Sequence, residues 1–120
     1  MNTQTYFNKR CIIIRSIARK STAGPASDPE LLILSSLAAG PKHGYGIMLD
    51  VRTFAGVELG PGTLYSAITR LAENGWIKPQ EAHGRQRPYQ LTGTGAEHLQ
   101  EQLESVREIA NVGLRRLRTA

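Results

Sequence analysis

A chain of 120 residues with a 40% apolar composition can fill one modest core and falls short of two. Its single cysteine, Cys11, excludes an internal disulfide and fits a reducing, cytoplasmic setting, and the apolar run at residues 11–14 is too short for the core of roughly 7–15 residues in a secretory signal. The formal charge of +5 points to an anionic partner, yet five of the 15 basic residues (Lys9, Arg10, Arg15, Arg19, Lys20) fall in residues 1–27, which hold no acid. Residues 28–120 are therefore neutral overall, so a surface for nucleic acid there requires segregated charge.

Residues 1–27 end in Ser21-Thr22-Ala23-Gly24-Pro25-Ala26-Ser27, the composition of a linker. They read as a basic tail, either an arm for phosphates or a leader outside the fold. Regular structure is expected from Asp28-Pro29-Glu30, an N-cap acid, a proline at the first helical position and an acid in the first turn. This helix continues through Leu31 to Ala39, apolar nearly all round and so central, and stops at Gly40-Pro41. A second helix is expected from Gly44 to Ala55, with Ile47, Val51 and Phe54 as its apolar stripe, Met48 alongside, Asp50 and Arg52 toward water, and Gly56 as its end.

Gly60-Pro61-Gly62 starts a third helix that runs to Glu73 and stops at Asn74-Gly75. Its two sides differ in chemistry. Leu64, Ile68 and Leu71 recur at i, i+4, i+7 and face a core, whereas Thr63, Ser66, Thr69, Arg70 and Glu73 turn outward. Two short strands, residues 76–80 and 88–92, then form a hairpin; a proline in each marks an exposed ribbon, and the loop between them carries Arg85 and Arg87 beside Gly84. A last helix of about 25 residues, Thr94 to Arg118, places Leu99, Leu103, Val106, Ala110, Leu114 and Leu117 at spacings of 4, 3, 4, 4, 3, close to a coiled-coil seam. A stripe of that length exceeds what the preceding domain can cover, so a second copy of the chain is the expected partner.

Three helices followed by a two-stranded wing is the order of a winged helix-turn-helix. The expected fold is mostly α with a small β-wing, divided into a tail (1–27), a DNA-binding domain (28–93) and a C-terminal dimerisation helix (94–120). An enzyme finds no support. His43, His83 and His98 show neither metal-ligand spacing nor a carboxylate cluster, no nucleophile has an evident base, and no glycine-rich phosphate loop follows a strand. No cofactor is expected, and no membrane span is visible.

Four stretches resemble the PadR-like transcriptional regulators: residues 37–47 with His43-Gly44-Tyr45, residues 61–71 with Pro61-Gly62-Thr63-Leu64-Tyr65, Gly75-Trp76-Ile77, and Arg87-Pro88-Tyr89-Gln90-Leu91-Thr92 with Gly95. They follow in unbroken order over roughly residues 30–99. This resemblance implies a dimeric winged-helix repressor acting on double-stranded DNA, with contacts from Tyr45, Gly62, Thr63 and Tyr65. A hydroxyl beside free N–H groups at a helix start can bind a phosphate, as can the tip of a half-buried tyrosine, although both tyrosines also suit core positions.

Base reading is expected of Ser66, Thr69 and Arg70, with Arg70 suited to guanine or, alternatively, to an ion pair near the helix end. Lys42 and His43 before the second helix, and Arg85 and Arg87 in the wing, are candidates for phosphate or minor-groove contact, or else solvated charge. The sequence departs from the family where Gly60 replaces a more usual Ser or Thr, and at Pro88 and Gln90 in the wing. Its C-terminal helix holds no aromatic residue on which a flat effector could stack, and Trp76 is expected in the core; a small-molecule effector is left unassigned. The competing expectation is a winged-helix module that binds another protein instead of specific DNA.

Overall fold

In a computed structural model, residues 27–81 and 87–119 are described. They form α1 (Pro29–Leu37), α2 (Gly44–Ala55), α3 (Pro61–Glu73), β1 (Ile77–Pro79), β2 (Tyr89–Leu91) and α4 (Gly93–Thr119). The expected fold, helices with a small wing and a long final helix, is the one observed. Arg85 and His83, and the basic tail apart from Ser27, lie outside the described residues.

Helix α1 is the hub, packed against α2, α3, α4 and β2. Leu32, Ile33, Leu34 and Leu37 are buried on it, as its all-round apolar sequence requires. Asp28 stands at the N-cap with extended backbone, but its carboxylate makes no capping bond. The helix is shorter than expected, because Ala38 and Ala39 form a tight turn in which Gly40 N–H bonds Leu37 O at 3.1 Å. Gly40, at φ +143°, redirects the chain toward α2.

Two further details depart from the expected pattern. On α2, Ile47 and Val51 are buried but Phe54 is 50% exposed. At about 100° per residue the buried side of α2 centres on Val51, between Ile47 and the partly buried Met48 and Ala55, which leaves Phe54 at its edge. Asp50, expected in water, is half-buried and accepts the hydroxyl of buried Ser36 at 2.8 Å.

The strands pair antiparallel, with Ile77 opposite Leu91, Lys78 opposite Gln90 and Pro79 opposite Tyr89. A third segment extends this sheet, for Lys42 and Tyr89 exchange both backbone hydrogen bonds, at 3.1 and 2.9 Å. The wing is thereby fastened to the α1–α2 turn.

Helix α4 starts inside the domain and leaves it. Gly95 is buried so closely that a Cβ there would strike the carbonyl of Trp76. One turn later Leu99 is in the core, and His98 stacks on Trp76 with ring centroids 3.6 Å apart and planes within 8°. Beyond it the predicted seam opens to solvent: Val106 is half-buried, while Leu103, Ala110, Leu114 and Leu117 are exposed, Leu117 at 74%. Ile109, absent from the predicted seam, adds another exposed apolar side chain next to it.

Candidate nucleic-acid interface

Helix α3 is set in place at both ends by backbone chemistry. At its start Gly60 is extended and Pro61 occupies the first helical position, so Gly62 and Thr63 present N–H groups with no acceptor inside the helix. At its end Gly75, at φ +78°, donates to Ala72 O and Trp76 donates to Leu71 O, both at 3.0 Å, the paired bonds of a Schellman stop. Leu64, Ala67, Ile68 and Leu71 are all buried; each large one contributes about 1.5–3 kcal/mol relative to exposure. The opposite side is bare. Gly62, Thr63, Tyr65, Ser66, Thr69, Arg70 and Glu73 are all exposed, as the amphipathic pattern predicts.

Within that free side the side chains differ in how much freedom they keep. Ser66 has no protein partner among the described residues. Thr69 donates its hydroxyl to Tyr65 O at 2.9 Å within its own helix, which leaves the oxygen able to accept. Arg70 donates from Nε to Glu30 Oε2 on α1 at 2.7 Å. The ion-pair alternative for Arg70 is thus realised, though through one edge of the guanidinium only.

The two tyrosines are on the surface. Tyr45 is 62% exposed near the start of α2 and Tyr65 is 49% exposed on α3. Tyr65 reaches across the helix-turn-helix, and a Cβ on Gly44 would collide with its hydroxyl. This contact joins the His43-Gly44-Tyr45 and Pro61-Gly62-Thr63-Leu64-Tyr65 motifs at one point: Gly44 is small because Tyr65 lies over it. His43, half-buried, occupies the N-cap of α2 without a side-chain capping bond.

Lys42 is placed differently from the phosphate contact expected of it. Its ammonium turns into the fold, donating to Ser36 O at 2.6 Å and Gly40 O at 3.4 Å, with Asp50 Oδ2 at 3.9 Å. The charge sits on carbonyls at the end of α1, where a helix dipole favours a cation. Arg87 is exposed at the foot of the wing. Lys78 is exposed on β1 beside buried Ile77; its sequence signal is a lysine next to an apolar residue in a short strand, where neighbours face opposite sides. The sequence marks Glu30 only as a first-turn acid, and its partner forty residues away leaves no local sign.

Among the described residues no group of three or more His, Cys, Asp or Glu is arranged to hold a metal ion, and no helix is long and apolar enough to cross a membrane. Three helices followed by a two-stranded wing, with the polar side of the third helix free, define a winged helix-turn-helix fold. The chain belongs to the PadR-like family of transcriptional regulators, whose family model matches residues 33–101.

Solved structures agree. A PadR family transcription regulator from Clostridium difficile superposes with a TM-score of 0.67 at 28% identity, covering 74% of this chain and 97% of that one. A transcriptional regulator from Clostridium thermocellum gives 0.64 at 30% identity, covering 72% and 87%. The winged-helix DNA-binding protein F93 from STIV, at 20% identity and 0.61, covers 66% and 87% and shares the fold. An uncharacterized 37.1 kDa protein in transposon TN4556 of Streptomyces fradiae is 40% identical over 84 residues, which are 70% of this chain and 24% of that protein. The chain therefore matches about a quarter of that relative's length.

Proposed function

We propose that this protein is a cytoplasmic, homodimeric repressor that inserts α3 into the major groove of double-stranded DNA and has no enzymatic activity. The observation that carries the proposal is the division of α3: one side completely buried, the other, with Thr63, Ser66 and Thr69, covered by nothing in the described chain. At about 1.5 Å per residue α3 spans close to 20 Å, a length suited to a groove roughly 12 Å wide. Free N–H groups at Gly62 and Thr63, with the phenols of Tyr45 and Tyr65 nearby, supply the phosphate contacts that fix its register. Arg87, Lys78 and Arg85 supply those of the wing.

Dimerisation is supported by the outer part of α4. Leu103, Ile109, Leu114 and Leu117 are large, apolar and exposed, and a two-fold axis lets the same stripe cover itself. Two recognition helices then meet half-sites about one helical turn, or a multiple of it, apart. Genomic fragments selected on the protein should share such paired half-sites, with affinity falling steeply as salt rises. Absence of binding at low salt, or binding indifferent to salt, would leave the protein-binding module as the better account of the fold.

A further inference from the structure

We propose that Glu30, on α1, is the positioning residue that aims Arg70, so that discrimination between DNA sequences depends on a carboxylate that touches no base. The inference rests on the DNA-reading role of α3 and adds how one of its side chains is controlled. The Glu30 carboxylate accepts from Arg70 Nε at 2.7 Å, on the edge of the guanidinium nearest its own stem. The two terminal nitrogens have no protein acceptor among the described residues. Those two form the fork that meets guanine O6 and N7.

Arg70 needs such a guide because of where it stands. On a helix turning about 100° per residue, Ser66, Thr69 and Glu73 centre the exposed side and Arg70 occupies its flank toward α1. An unpaired arginine there samples many rotamers and must be ordered at the moment of contact. Pairing through Nε removes that disorder beforehand and keeps the fork open. Cohesion is not what the pair supplies: Arg70 is 53% and Glu30 31% exposed at the side chain, so solvent screens their attraction. The carboxylate has a second effect, since it repels phosphates and so disfavours binding to sequences that give Arg70 nothing to hold.

The test uses the full chain on three DNAs: a fragment selected from the source genome, the same fragment with single base-pair changes, and random sequence. Arg70→Ala should reduce discrimination at one base pair by about 5- to 150-fold. Glu30→Ala should reduce it by about two- to tenfold, the freedom of one immobilised side chain, while affinity for random DNA holds or rises. Glu30→Gln, which keeps an acceptor without the charge, should fall between Glu30→Ala and the unaltered protein. Adding Glu30→Ala to Arg70→Ala should change discrimination no further. Unchanged discrimination in Glu30→Ala, or equal losses on selected and random DNA, would reduce the pair to a tie between α1 and α3. A gain in discrimination would show that Glu30 withholds Arg70 from DNA, the opposite of the proposal. If the unaltered protein binds all three DNAs alike, the role of α3 falls and this inference with it; if it discriminates and Glu30→Ala does so equally, only the inference is lost.

Discussion

Helices α3 and α4 both separate an apolar from a polar side, and the chain treats them in opposite ways. The apolar stripe of α3 is four residues, Leu64, Ala67, Ile68 and Leu71, and α1, α2 and β1 bury all of it. The stripe of α4 is longer, and only its beginning, Leu99, enters the core. A helix of 27 residues extends about 40 Å, more than a small three-helix domain can line. What α3 leaves unsatisfied is polar and what α4 leaves unsatisfied is apolar, so the first suits a hydrated, charged duplex and the second suits another protein surface of its own kind.

Substitutions on the two stripes should therefore behave differently. Leu71→Ala, in the finished stripe, should cost about 2–5 kcal/mol of unfolding free energy, with no dependence on protein concentration. Leu114→Glu combined with Leu117→Glu, in the unfinished one, should leave each domain folded while light scattering falls from twice the chain mass of 13.2 kDa toward that mass, with loss of tight operator binding. A doubly substituted protein that stays dimeric would break the contrast, because α4 would then contribute nothing to assembly through this end.

Much of this division was legible in the sequence, and what escaped shares a cause. The ends of α2 and α3 are written in local chemistry, with Gly56 and Gly75 both at positive φ where the stops were expected. The two sides of α3 follow from spacing alone. Phe54 departs from the expected stripe because three apolar residues fix the centre of a helix side only loosely, and the partly buried Met48 and Ala55 move that centre away from it. Lys42 and Glu30 escaped for another reason. Their charges are used by groups in other elements, Ser36 O and Gly40 O for one and Arg70 for the other, and a linear pattern carries no distance between residues far apart in the chain. Ile109 lies outside the expected seam because a strict 4, 3 seam is narrower than the apolar side that α4 presents.

The junction between the two helices sharpens the comparison at smaller effect. Gly95→Ala would set a methyl group against the Trp76 carbonyl, which also accepts Thr92 N–H at 3.0 Å, and should cost about 1–3 kcal/mol in chemical denaturation. A neutral result would mean that the start of α4 shifts freely against the end of α3.

The smallest effect is the most informative about how α4 is aimed. Trp76 closes the Schellman turn of α3 and its ring lies flat on His98, so this stack is a direct link between the proposed reading helix and the proposed dimer helix. The stack should contribute about 0.5–1.5 kcal/mol beyond its buried area, so His98→Ala should cost at least that much unfolding free energy. Trp76 is the chain's one tryptophan, so its emission should shift to longer wavelength as the exposed ring meets water. If the link sets the angle of α4, His98→Ala should also change the half-site spacing preferred in a series of operators with altered centres, while His98→Phe, which keeps a ring on the tryptophan, should restore it. Unaltered spacing in His98→Ala would assign the angle to Gly95 and the Trp76 carbonyl alone, where backbone against backbone leaves a helix less room to pivot than two stacked rings do.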